Sequence, residues 1–453
     1  MANKNMEILT GDPKTSLLKL SFPIMVTLLV TTLYNVVDGI WVVGLGVNAV
    51  AGIGLVTPLW MIINGVATGL ANGITSSITR FRGEYGGEKP DEVAGQSVVI
   101  LLVVSIILTI GLLLALGPFI NLYSPSSKAT EEAFAYSIPL FLGLFGFVFS
   151  CGFSGILRAE GDTKRAMYAT TLGIILNALF DPIFIYVFNW GSAGASISTI
   201  VTSLISAVIM YYWIFVRKDT YINIDVKRIL KSKWDWSISK DILSTGIPAS
   251  AVLFMLSFAA MIFYYLIGMI SGDLGIAIFS SAYRIYLLGL SPISAFCSAL
   301  VAIIGTHYGA GNIKDVKRAH TYCTLYSFIL GAVICALFIV FKNQLAYVFL
   351  LTINNPNLFE GIVEFIAITS FCIPFLGIGM PSSFLYQGLG KGIISFAWTL
   401  IYEIIFTVPA TIFFAFVLNY GLTGIWLGFV AGRSAAAVLN YIGARYSIKK
   451  LSR

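Results

Sequence analysis

The chain reads as an all-α membrane protein, twelve transmembrane helices in two pseudo-symmetric six-helix lobes. Three observations predict this. Of its 453 residues, 58% are hydrophobic and only 11% charged, with a mean hydropathy of +0.89; a soluble domain carries about 25% charged residues. Apolar runs long enough to cross ~30 Å of hydrocarbon recur from end to end. Signatures of the first half also return in the second.

Taken in order, apolar runs between polar breaks predict spans at 16–43, 53–79, 94–117, 131–157, 166–188 and 194–216. A second set follows at 245–271, 277–305, 319–341, 359–385, 392–418 and 423–445. The long connection between the sets, 217–244, is basic and amphipathic with a Trp pair. It reads as a cytoplasmic linker joining an N-terminal lobe, 1–216, to a C-terminal lobe, 245–453. The opening MANKNMEILTGDPKTS has no apolar h-region and no cleavage site, so no signal peptide is expected.

The repeat is readable residue by residue. Tyr85-Gly86-Gly87 followed by Val93 is echoed by Tyr308-Gly309-Ala310 followed by Val316, Gly161 by Gly390, and Pro182 by Pro409. Asn189-x-Gly191-x-x-Gly194 is echoed by Asn419-x-Gly421-x-x-Gly424. The offsets stay between 223 and 230 residues, and both members of each pair fall on the same side of the membrane. Same-side repeats imply an axis along the membrane normal, a design in which substrate binds near the midplane and one lobe rocks against the other.

Net charge is +7. Assigning loops alternately to the two sides leaves Lys128 and Lys342 on one side and nearly every other Lys and Arg on the other; only Arg284 and Arg433 lie inside spans. That bias places both termini in the cytoplasm of a multi-pass protein, and it reads as topology rather than a nucleic-acid footprint. The five cysteines lie in or at the ends of apolar segments without a CxxC, so no disulfide framework or zinc site is implied. No Walker pattern, GxGxxG or HExxH occurs. Neither an ATPase nor an intramembrane enzyme is expected, and no cofactor is called for.

Two lone aspartates sit in long apolar stretches, each with a polar partner one helical turn earlier: Tyr34 before Asp38, and Asn177 before Asp181. An acid at bilayer depth costs about 2.5–3.5 kcal/mol on the insertion scale and is kept where it pairs or faces a polar cavity. Both lie in the first half; the matching positions are Val408 and the neighbourhood of Phe263. A proton or cation pathway and a packing role both remain open for them. Pro182 frees a carbonyl one turn back beside Asp181, and Pro23 is expected to kink the helix that carries Asp38. Glu403 reads either as a secondary cation or substrate site or as a salt bridge to Arg284 or Arg433. Glu364, nearer a span end, reads as interfacial.

TLYNVVDGIWV, GILRAEGDTKRAM, LNALFDPIFIY and the duplicated Asn-x-Gly-x-x-Gly resemble the multidrug and toxic compound extrusion (MATE) transporters, in their prokaryotic DinF-type branch. The resemblance spans nearly the whole chain. It implies a secondary antiporter in the plasma membrane, a monomer, exporting cationic lipophilic compounds in exchange for H⁺ or Na⁺. It carries the coupling role to Asp38 and Asp181, with Tyr34, Asn177 and Thr199 supporting them. If sodium is the ion, Asp38, Asn177, Asp181 and Thr199 are its oxygen ligands. Pro23 matches a proline at which the first helix bends. Ser154 stands where related sequences often carry Asn and is a candidate substrate contact. A lipid-linked oligosaccharide flippase is the alternative.

Overall fold

The computed structural model describes residues 7–85, 89–123, 127–217, 220–222, 234–350 and 356–452. Gly86 and Gly87 of the first echo, and 218–219 and 223–233 of the linker, lie outside the described residues. Everything assigned is helix or turn: α1 (Pro13–Val43), α2 (Val47–Tyr85), α3 (Lys89–Tyr123), α4 (Ser127–Leu142) and α5 (Leu144–Ala159) come first. Then follow α6 (Thr163–Pro182) and α7 (Gly191–Tyr211), each ending in a π-helical turn. The second half comprises α8 (Trp236–Gly272) and α9 (Leu274–Gly309), which meet at Gly272, then α10 (Ile313–Val340) and the short α11 (Lys342–Leu350). It closes with α12 (Pro356–Thr369), α13 (Cys372–Gly388), α14 (Gly392–Leu400), α15 (Val408–Ile412) and α16 (Gly421–Leu451). Among the described residues, ten helices are long and apolar enough to span on their own, and counting the bent pairs α4–α5 (50°) and α12–α13 (54°) as one span each gives twelve.

The backbone repeats as the sequence does. Gly161 and Gly390 both adopt left-handed φ (77° and 73°), and so do Asn189 and Asn419 (55° and 57°). Side chains other than Gly and Asn resist this conformation, which explains why these short turns are the legible echoes. π-Helical turns at Ile183–Val187 and Phe413–Val417 precede the paired asparagines. Pro182 and Pro409 are nearly a turn out of register: Pro182 abuts its π turn, whereas Pro409 lies four residues before the second. The counterpart of Asp181 is therefore the buried Thr411, not Val408. The second lobe also carries one extra residue between Gly390 and Asn419, accommodated in a π-helical segment, Ile401–Thr407, that the first lobe lacks.

Each half has its own core, but the first helix of each crosses to the other. Leu9, Leu17 and Leu20 pack into a cluster built from α9, α10, α13 and α16. Reciprocally, Ile238 and Ile242 at the start of α8 join the core of the first half. α2 lies against α8 and α9, and the closeness of that contact changes along its length. A Cβ at Gly73 would stand 2.5 Å from the Ile242 carbonyl oxygen, and one at Gly69 2.6 Å from that of Gly246. At Gly65 the nearest facing atom would be 3.4 Å away, and at Gly54 nothing lies within 4 Å. The lobes are thus sealed backbone to backbone at the linker end and diverge toward the other. Arg80 of α2 locks the sealed end by gripping Asp241 of α8 with both guanidinium nitrogens (2.9 and 2.7 Å), and Ser77 donates to the same carboxylate at 2.6 Å.

The start of the linker is docked. Arg82 lies over the Tyr221 ring at 3.9 Å, and the buried Ile222 donates its N–H to Glu160 at 2.7 Å. Burial pushes the Glu160 carboxyl up to about 8, against the opposing pull of that N–H. Below 4.5 the acid is protonated docked or free; above about 8 it is ionised in both, and the docked form bears the whole desolvation cost. Hydrogen exchange at Ile222 is expected to accelerate relative to Glu160→Gln as pH rises through this range. Equal exchange in the two proteins at pH above and below it would rule the coupling out.

Candidate functional site

α1 and α6 run side by side, and their far ends are pinned where the Tyr186 hydroxyl donates to the Trp41 carbonyl at 2.6 Å. Just inside that pin lies the acid cluster. Asp181 is fully buried and accepts from the Asn177 amide at 2.9 Å and from the Tyr34 hydroxyl, across from α1, at 3.3 Å. Tyr34 also interacts with Asp38, one turn on along α1, where the carboxyl is half-buried. Both turn-spaced pairs therefore share helix faces as i, i+4 spacing requires, and Tyr34 stands between the carboxyls. Asp38 and Asp181 lie within two turns of the helix ends remote from the linker rather than at mid-span.

Thr199 is not brought to Asp181. Its hydroxyl donates to the Ala195 carbonyl of its own helix at 3.1 Å, and it lines a small cavity together with Trp60 and Phe147. The neighbouring Ser198 takes the place: the Asn177 amide nitrogen reaches its hydroxyl at 2.6 Å. Adjacent helical residues point about 100° apart, so a one-residue error of phase exchanges a site residue for a neighbour. Ser154, half-buried on α5, shares no hydrogen bond with the cluster. Tyr136 of α4 was missed by the sequence reading, yet it interacts electrostatically with both aspartates. Nothing local in AFAYSIPL marks it, because its partners come from two other helices. α1 runs through the buried Pro23 as one continuous helix. The Thr27 hydroxyl donates to the Pro23 carbonyl at 3.1 Å.

The second lobe holds a different polar centre. Glu403, on the π-helical segment, pairs with Arg433 of α16 at 2.8 Å; Arg433 also donates to the Tyr286 hydroxyl at 3.0 Å and lies 4.0 Å over the Phe429 ring. Arg284, the other partner the sequence offered, is exposed on α9. The pair lines a cavity of about 270 Å³ between the lobes, to which α2 contributes Thr68 and Asn72. Glu364 accepts from Thr423 at 2.5 Å. This parallels Ser192 donating to Glu132 in the first lobe, also at 2.5 Å. Among the described residues, no three His, Cys, Asp or Glu side chains converge as a metal-binding group.

The MatE family profile matches residues 23–183 and 248–420. The chain is 24% identical over 449 residues to a Thermotoga maritima protein named as a probable multidrug resistance protein NorM, covering 96% of this chain and 93% of that protein. It is 21% identical over 440 residues to the Staphylococcus aureus multidrug export protein MepA, covering 93% and 91%. A solved structure described as the outward-facing conformation of a multidrug resistance MATE family transporter of the MOP superfamily superposes with a TM-score of 0.95. It is 33% identical, over 99% of each chain. These matches do not favour the flippase alternative. The chain belongs to the MATE family, whose members are multi-pass membrane transporters and not enzymes.

Proposed function

We propose that this protein is a multidrug efflux antiporter of the plasma membrane, with both termini cytoplasmic, working as a monomer by alternating access between the lobes 1–216 and 245–453. The observation that carries the coupling step is the shared cluster of Tyr34, Asp38, Asn177 and Asp181, which ties α1 to α6 through ionisable groups at the end where the lobes diverge. With the linker in the cytoplasm, the sealed end is cytoplasmic and the conformation is outward-open, as in the similar structure described above. An incoming ion reaches the half-buried Asp38 first. Changing its charge alters the hold of Tyr34 on Asp181 and so the packing of α1 on α6. That rearrangement, with bending of α1 at Pro23, expels a cationic lipophilic substrate from the cleft.

The donor pattern favours H⁺ over Na⁺. Asn177 turns its amide nitrogen, not its oxygen, toward both Asp181 and Ser198, and Thr199 faces elsewhere. A hard cation requires converging oxygens, and this arrangement turns donors toward the site instead. The test is efflux of a fluorescent cationic dye from vesicles containing the purified protein, under a proton gradient or a sodium gradient imposed separately. Export driven by the proton gradient alone is expected. Export driven by sodium alone would reverse the ion assignment, and no export under either gradient would overturn the antiporter.

A further inference from the structure

The linker-end face of the second lobe carries a basic notch that the first lobe lacks. Where α10 begins and α16 ends, Arg445 donates through one guanidinium nitrogen to the Thr321 hydroxyl at 2.8 Å. That hydroxyl in turn donates to the Lys317 carbonyl, also at 2.8 Å. The guanidinium lies 5.9 Å from the centre of the Tyr441 ring, which stacks at 5.8 Å on His320. His320 is fully buried and shares a 3.2 Å hydrogen bond with the Ser382 hydroxyl, so the stack is anchored in the lobe. One turn outward on each helix, on the faces that carry Thr321 and Arg445, stand the exposed Lys317 and Lys449. Lys314 follows, also exposed.

None of these four cations has an acidic partner among the described residues. Asp12 and Asp315, the acids at this end of α10, are both held by Arg318, at 3.1 and 3.2 Å. The general bias of Lys and Arg toward one side of a membrane acts on both lobes, but the notch does not repeat. By the offset that relates Val93 to Val316, the residues Lys314, Lys317 and Thr321 fall on Asp91, Ala94 and Val98. By the offset that relates Asn189 to Asn419, Arg445 falls on Phe215. Lys89, at the start of α3, is neutralised by Glu92 and Asp235 at 3.0 and 3.5 Å. On the membrane side of the notch the same two helix faces turn apolar and exposed, at Leu325 and Ile329 of α10 and Ile442 of α16.

We propose that this notch is a binding site for an anionic glycerophospholipid. Its headgroup phosphate takes the half-buried guanidinium of Arg445, with Lys317 and Lys449 beside it, and its acyl chains lie along Leu325, Ile329 and Ile442. A guanidinium oriented by a hydrogen bond on one nitrogen still offers donors in the fork geometry that suits a phosphate. Basic side chains clustered just outside a span draw in anionic headgroups. A zwitterionic lipid brings its own cation into the notch and loses most of this attraction. The leaflet that supplies the lipid follows from the cytoplasmic placement of this end proposed above; binding itself depends neither on that placement nor on the coupling ion.

The experiment is titration of the purified full chain in detergent with phosphatidylglycerol, phosphatidylcholine or glycerol 3-phosphate, with bound adducts resolved by native mass spectrometry. The first phosphatidylglycerol is expected to bind at least about tenfold more tightly than either of the others. Lys317→Gln, Arg445→Gln and Lys449→Gln together lower its affinity at least about tenfold, through the loss of three charges at a membrane surface. A control triple of Lys14→Gln, Lys164→Gln and Lys240→Gln removes the same charge from exposed sites on the same side and stays within about twofold of the wild type. Thr321→Val keeps every charge but releases Arg445, and weakens binding about threefold. Phosphatidylglycerol binding no tighter than phosphatidylcholine, or an equal loss in the two triples, overturns the proposal. Glycerol 3-phosphate binding as tightly as the lipid also overturns it, and would make this a site for soluble phosphates.

Discussion

Asp38→Asn is expected to reduce gradient-driven dye export about a hundredfold, to the level of empty vesicles, while the protein folds and melts as the wild type does. Coupling between an ion and a substrate is a free energy, commonly worth factors of about 5–150. It exists only if the ion binds one conformation more tightly than the other. A carboxyl can change charge as its surroundings open and close, whereas an amide of the same shape cannot. Asp38 is half-buried, and its partner Tyr34 can equally bond an amide, so the fold has little reason to notice. Asp181→Asn behaves differently. Asp181 is fully buried and accepts from both the Asn177 amide nitrogen and the Tyr34 hydroxyl; an amide there can accept from only one of the two, so the other bond is lost or reversed. Leaving a buried group unsatisfied costs about 1–3 kcal/mol, so this variant loses both export and melting temperature. Asp38→Asn retaining more than a tenth of wild-type export would remove the coupling role from that residue.

Gly73→Ala is expected to open the linker end. The new methyl would stand 2.5 Å from the Ile242 carbonyl oxygen and 3.0 Å from the Gly246 Cα, and backbone cannot turn aside as a flexible side chain can. The clash occurs only where the lobes are sealed, so it raises the energy of this conformation and not of its opposite. Overpacking of this kind costs about 1–3 kcal/mol, enough to shift the balance about ten- to hundredfold toward the state open at the linker end. Ala is a better helix former than Gly, so α2 itself does not suffer. The readout is maleimide labelling of Ser76→Cys in a background without the native cysteines. Ser76 is fully buried, and its hydroxyl donates at 2.5 Å to the Gln387 carbonyl of the other lobe. Labelling and export both unchanged by Gly73→Ala would show that the glycine contact does not hold the gate.

Features that depend on local spacing were legible in the sequence. The spans follow from apolar length, and the repeat follows from turns that only Gly or Asn can make. Asn177 meets Asp181, and Tyr34 meets Asp38, because i, i+4 geometry acts within one helix. Features that depend on how helices rotate and cross were not. Ser198 rather than Thr199 meets Asn177 because the sequence does not fix the rotation of α7. Tyr136 arrives from a separate helix. The prolines at 182 and 409 invited a pairing, yet they stand three residues out of register against the π-helical turns that follow them. Glu403 had two candidate arginines, and only the packing of α16 selects Arg433.

The reciprocal crossing of the first helices bears on how the chain is made. Leu9, Leu17 and Leu20 leave the ribosome well before the surfaces that cover them on α9, α10, α13 and α16. Domains usually complete their folding in order of synthesis; here the N-terminal half waits with Leu9, Leu17 and Leu20 uncovered until the second half has been made. The start of α8 then fills the first-half core with Ile238 and Ile242. Neither half is a self-sufficient folding unit, and a nascent chain arrested at the linker would be a natural target for membrane quality control.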